Sequence, residues 1–66
     1  MASPILKHFA YDHLPADLQT VSSRVGELAN DMEDLLPEGP EKSAGLRKLL
    51  EAKDCFVRSF LETRGK

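Results

Sequence analysis

The sequence predicts an all-α fold: an antiparallel two-helix hairpin with an extended N-terminal arm, assembled into a symmetric homo-oligomer. Three observations predict it. Leu18, Val21, Val25, Leu28, Met32 and Leu35 recur at alternating spacings of three and four, the seam of an amphipathic helix. Pro37-Glu38-Gly39-Pro40 places two prolines and a glycine in four residues, a tight turn whose flanking helices must run antiparallel. Beyond it, Leu46, Leu49, Leu50, Ala52, Phe56, Val57, Phe60 and Leu61 fall on a second helix. At about 100° per residue its apolar arc spans roughly 180°.

The chain divides into an arm (residues 1–14), a helix (15–36), the turn (37–40) and a second helix (40–63), forming a single helical-hairpin domain. In the arm, Phe9 and Tyr11 stand two apart, the spacing that puts side chains on one side of an extended chain. The segment is too short to form a sheet alone, so it is expected to pack on the helices. Pro15 suits a first helical turn because its missing N–H is not needed there. Asp17 sits near the positive end of the helix dipole. Gly26 lowers helix propensity by about 1 kcal/mol relative to Ala, a hint of close packing. The second helix again carries a proline, Pro40, in its first turn.

The arc of the second helix is wider than the stripe of roughly 100° on an ordinary surface helix, and one partner helix cannot cover it. Size argues the same way. A chain of 66 residues buries only about 60% of its unfolded surface, and the usual remedies are disulfides, a metal or oligomerisation. Cys55 is the single cysteine, so no intrachain bridge exists, and two histidines without thiol partners do not make the usual ligand set of a structural zinc. No cofactor or metal is expected. Self-association is.

Apolar residues make up 41% and charged residues 30%, a globular composition. Met1-Ala2-Ser3-Pro4 shows no basic region followed by an apolar one, and no run approaches the roughly 18 apolar residues of a membrane helix, so a cytoplasmic protein is expected. The net charge of −2 divides into −6 over residues 1–41 and +4 over residues 42–66. An acidic chain is a poor candidate for coating long nucleic acid. Its basic half can still hold a small anion or pair with the acidic half.

Lys42, Lys53 and Arg64 are spaced eleven apart and fall inside the apolar arc. Three readings are open: snorkelling along apolar neighbours or fraying at the ends, a polar interface residue that sets register, or a cation at an inter-subunit cleft that receives an anion. Arg47 and Arg58 lie opposite with Glu51 and Asp54, a solvated face on which Asp54 and Arg58 are spaced to pair. The second helix begins Glu41-Lys42-Ser43, where unpaired N–H groups, the dipole and Lys42 either make an anion site or an ordinary solvated helix start. In the arm, Tyr11 with His8, Phe9 and His13 is either a base-stacking platform or an aromatic anchor. Only Asp12 accompanies the histidines and no nucleophile is in range, so catalysis is not expected.

The stretch Leu36-Pro37 followed by Glu41-Lys42-Ser43-Ala44-Gly45-Leu46-Arg47-Lys48-Leu49-Leu50-Glu51-Ala52 resembles the helical hairpin of phage anti-CBASS sponges, also present in phage anti-Thoeris sponges. The upstream His8-Phe9-x-Tyr11 is similar to the same family, and together these cover about half the chain. The resemblance implies a non-enzymatic protein, in the host cytoplasm if phage-encoded. It would sequester cyclic dinucleotides or trinucleotides uncleaved, inhibit CBASS signalling, and form compact oligomers, typically hexamers, with pockets between subunits. It further implies that Tyr11 stacks on a base of a cyclic dinucleotide, that Arg24 contacts phosphate, and that Lys42, Ser43 and Arg47 serve a separate trinucleotide site. The chain departs from the family at Pro40, where Arg is frequent, and near Cys55, where Trp is usual.

The ligand-binding candidates are therefore Tyr11, His8, Phe9, Arg24, Lys42, Ser43, Arg47 and Lys53. The expected partners are a cyclic oligonucleotide and further copies of the chain, with no long nucleic acid and no membrane. A structural or adaptor module that docks a partner helix on the wide apolar face is the first rival, and a small DNA-binding regulator the second.

Overall fold

A computed structural model describes residues 4–64. Three helical segments follow in order: a 3-10 helix Pro4–Phe9 in the arm, α1 Ala16–Leu35 and α2 Pro40–Arg64. No strand occurs among the described residues. Both α-helices lie within one residue of the expected bounds, but the arm is not extended. On a 3-10 helix, residues three apart eclipse, so Leu6 and Phe9 share one side. Phe9 is in the core at 2% exposure, and Ile5 and Leu6 pack against it. The two-residue spacing of Phe9 and Tyr11 misled because it left out these apolar residues upstream. Residues 1–3 of the expected arm lie outside the described residues.

Local chemistry sets the helix ends. The Asp17 carboxylate accepts the Leu18 N–H at 2.9 Å, satisfying a donor that a helix start leaves unpaired. The Gln19 side-chain amide donates to the Leu14 carbonyl at 2.8 Å and the Asp12 carbonyl at 3.3 Å, tying the turn between arm and helix to the first turn of α1. At the other end Leu36 is extended (φ −106°, ψ 145°), as the residue before a proline must be. Its N–H still donates to the Met32 carbonyl at 3.1 Å. The turn needs no left-handed residue: no glycine among the described residues has positive φ.

The arm is a third rod laid along one flank of the hairpin. The core gathers Phe9, Val25, Ala29 and Leu46, with Leu49 and Leu50 packed against it. On α1 the buried residues are Ser22, Val25, Gly26 and Ala29, a stripe of small side chains rotated away from the predicted seam. Size explains the rotation. A Cβ on Gly26 would meet the Phe9 carbonyl oxygen at 3.0 Å and the Tyr11 ring at 3.3 Å, so the arm's close approach depends on small residues there. The larger seam residues Leu28 and Leu35 are left exposed, Leu35 at 71%.

The arm also takes up part of the wide apolar arc of α2, which the sequence alone left for a second molecule. Phe56 and Leu61 remain exposed, at 54% and 42%. Between α1 and α2, Leu28, Met32, Leu36, Gly45, Leu46 and Leu49, with Glu41 and Lys42, line an open, largely apolar groove of about 280 Å³. Among the described residues no helix is long and apolar enough to cross a membrane.

Candidate functional site

Two of the three cations in the apolar arc are held by partners within the chain. Lys42, 7% exposed, pairs with the carboxylates of Glu33 and Glu38, each at 2.6 Å. It also donates to the carbonyls of Glu33 at 3.1 Å and Leu36 at 3.3 Å. An ammonium has three N–H donors, and here four acceptors surround it. The carbonyls belong to the end of α1, so a residue in the first turn of α2 neutralises the negative pole of its neighbour. The Glu33 hydrogen bond, followed by that of Glu38, raises the Lys42 pKa above its ordinary 10.5, against the opposing effect of burial.

This corrects the reading of Lys42 as a ligand contact: no donor is left to meet a phosphate. The start of α2 is neither an open anion site nor a frayed end. Ser43 and Arg47 are exposed there and line a shallow groove with Pro4, Ile5 and Glu38, the last of which also pairs with Lys42. The Arg64 side chain lies outside the description.

Lys53 reaches across to the arm. Its ammonium donates to the His8 carbonyl at 2.6 Å and stands 5.8 Å from the Phe9 ring centroid, within cation–π range. Phe9 itself is a corrected candidate. With 2% of its surface exposed it anchors the arm and offers no face to a base. Tyr11 is half-buried with one edge on Gly26. Arg24 is exposed on α1, and two residues along a helix are about 200° apart, so it points away from the face where Tyr11 rests on Gly26. One copy does not bring Tyr11 and Arg24 together.

A concavity lies between the arm and the C-terminal half of α2. Lys7, His8, Ala10, His13, Leu14, Ser22, Lys53, Asp54, Val57 and Arg58 line a groove of about 410 Å³. Five of these side chains are basic or imidazole and one is a carboxylate. The expected Asp54–Arg58 pair does not form among the described residues; the Arg58 guanidinium instead donates to the Cys55 thiol sulfur at 3.2 Å. At the groove's base Ser22 is fully buried, and its hydroxyl has no hydrogen-bond partner, a defect that costs about 1–3 kcal/mol.

Comparison with known proteins returns no match: no family model, no curated protein and no solved structure is similar to this chain. The site therefore rests on its own geometry.

Of the eight candidates read from sequence, His8 and Lys53 share the large groove, Ser43 and Arg47 share the shallow one, and Tyr11 and Arg24 stand apart. Lys7, His13, Ser22 and Arg58 were missed as groove residues. Arg58 was read from sequence on the solvated face opposite Lys53, and its place on the groove beside Asp54 depends on where the arm lies. Lys7 and His13 carried no signal for the groove, since their direction depends on the arm's 3-10 path. Among the described residues no three His, Cys, Asp or Glu side chains gather closely enough to hold a metal.

Proposed function

We propose that this protein binds cyclic oligonucleotide second messengers between copies of itself and sequesters them without cleavage, acting as an inhibitor of CBASS signalling. The observation that carries this reading is the setting of Tyr11. Its ring is held against Gly26 at the end of an arm that Phe9 pins and Lys53 clamps. A partly exposed aromatic of this kind suits stacking on a base, worth about 1–3 kcal/mol per base. Because Arg24 faces elsewhere in one copy, a second copy supplies the phosphate contact, and a two-fold pairing matches a cyclic dinucleotide's two bases and two phosphates.

The apolar side chains left open support assembly. Leu28, Leu35, Leu36, Phe56 and Leu61 are covered by further copies in a symmetric homo-oligomer, for which the sequence resemblance implies a hexamer. Calorimetric titration with 3',3'-linked cyclic dinucleotides and trinucleotides is expected to give saturable heat, with the nucleotide recovered intact after heating the complex. Tyr11→Ala is expected to weaken dinucleotide binding by at least about tenfold. Heat from neither class of ligand overturns the reading.

A second reading has its own observation. The largely apolar groove lined by Leu28, Met32, Leu36, Gly45, Leu46 and Leu49, with Glu41 and Lys42 beside them, has the character of a surface that receives an amphipathic helix, as an adaptor module requires. Absence of nucleotide binding in a monomeric protein favours it.

A further inference from the structure

We propose that the groove between the arm and α2 is a phosphate-binding site, complete within one copy of the chain, that takes a nucleotide-sized phosphate ester. It needs no neighbouring subunit and does not rest on the sequestering function. Two elements far apart in sequence build it. The arm and the turn after it contribute Lys7, His8 and His13, and α2 contributes Lys53 and Arg58. The bond from Lys53 to the His8 carbonyl, 45 positions away, holds the two walls together.

The charge is concentrated against the background. The whole chain carries −2, yet among the described residues Asp54 is the one carboxylate on this groove. The donors are also available. Among the described residues, no hydrogen bond or ion pair engages the side chains of Lys7, His8 or His13. Arg58 has five N–H donors and directs one to a thiol sulfur, a weak acceptor. Lys53 gives one of its three donors to the His8 carbonyl.

Ser22 supplies a second, independent observation. Its residue is fully buried at the base of the groove with an unpartnered hydroxyl, and buried polar groups ordinarily find a partner. Size points beyond an inorganic ion: about 410 Å³ falls in the range of roughly 300–1,000 Å³ of small-molecule sites. A guanidinium fork beside ammonium point charges is the donor set that phosphate oxygens select.

The test is an NMR titration of the full chain with inorganic pyrophosphate, AMP, adenosine and a hexaglutamate peptide at fixed ionic strength. Pyrophosphate and AMP are expected to give saturable shifts of the His8 and His13 imidazoles and the Arg58 guanidinium, with adenosine giving none. Lys7→Gln and Arg58→Gln, both exposed positions, are each expected to weaken AMP binding by about tenfold while leaving the circular dichroism unchanged. No saturable shift at these residues, shifts that persist in the double variant, or hexaglutamate binding as tightly as AMP overturns the proposal. Pyrophosphate binding without cyclic-dinucleotide heat upholds this site and removes the sequestering function; the reverse result removes this site alone.

Discussion

Lys42 stands in the first turn of α2 and serves the last turn of α1, and its titration should report that arrangement. Its ammonium gains partners on folding, so its pKa in the folded chain lies above the ordinary 10.5. A raised folded-state value means the protonated group binds its proton more tightly in the native chain. The stabilisation is therefore complete below pH 10.5 and is lost as pH rises through the higher folded-state value. Denaturant titrations from neutral pH to about pH 11.5, which carries the series roughly one unit above the ordinary Lys value, are expected to show an alkaline loss of stability. Lys42→Met should abolish that loss and lower Tm at neutral pH more than Lys48→Met, whose side chain is exposed.

The glycines give a second residue-scale contrast. A Cβ on Gly45 would meet nothing within 4 Å, whereas one on Gly26 would press on the Phe9 carbonyl at 3.0 Å. Gly45→Ala is therefore expected to stabilise the chain by up to about 1 kcal/mol through helix propensity. Gly26→Ala is expected to lower Tm despite the same propensity gain, because backbone in the arm must move. Thermal melts of the two variants side by side check this, and equal gains would show that the arm does not sit tightly on α1.

At the scale of elements, the arm decides what the hairpin buries. It lies against the small-residue flank of α1 and brings Phe9 into the cluster of Val25, Ala29 and Leu46, against which Ile5 and Leu6 also pack. Without it a two-helix hairpin has little enclosed core. Phe9→Ala is expected to cost about 3–5 kcal/mol, the usual penalty for emptying a buried aromatic site. At roughly 0.05–0.15 kcal/mol per residue that is a large share of the stability of so short a chain. Amide hydrogen exchange should show protection lost through the core of α1 and α2 as well as in the arm. A loss confined to residues 4–14 would make the arm an accessory.

Both α-helices and the turn were legible because their signals are local: 3-4 spacing, a proline in or before each first turn, and a proline-rich stop. The arm's 3-10 path was not. Its apolar residues Ile5, Leu6, Phe9 and Tyr11 fit an extended strand only in part, and six residues carry too little periodicity to choose between a strand and a short helix. The heptad seam likewise located an apolar face on α1 without saying which edge of it the arm would cover. Size complementarity with the arm buried the Ser22–Gly26–Ala29 edge and left Leu28 and Leu35 outside.

For the whole molecule, one copy leaves apolar side chains open on two helices, and the proposed assembly would cover them. Sedimentation at micromolar concentration is expected to give a particle several times the 7.3 kDa of the chain. Leu28→Glu, with Leu28 45% exposed, should shift it toward the monomer with little change in helicity, because an unpaired carboxylate is costly inside an interface and cheap in water. A folded monomer in the unaltered protein would remove the inter-subunit clefts and leave the arm groove as the site to pursue.

By itself the sequence determined two antiparallel helices, the turn between them and cations embedded in an apolar arc, with only a hint of close packing at Gly26. These follow from dihedral preferences and periodicities that act over a few residues. The tertiary structure alone decided how those cations are satisfied, Lys42 by the end of α1 and Lys53 by the arm. It also decided that Lys7, His8, His13 and Arg58 meet across one groove. The reason is physical: a charge's partner is set by which surfaces come within about 4 Å of it, and residues 45 positions apart are brought that close only by packing the arm into the hairpin.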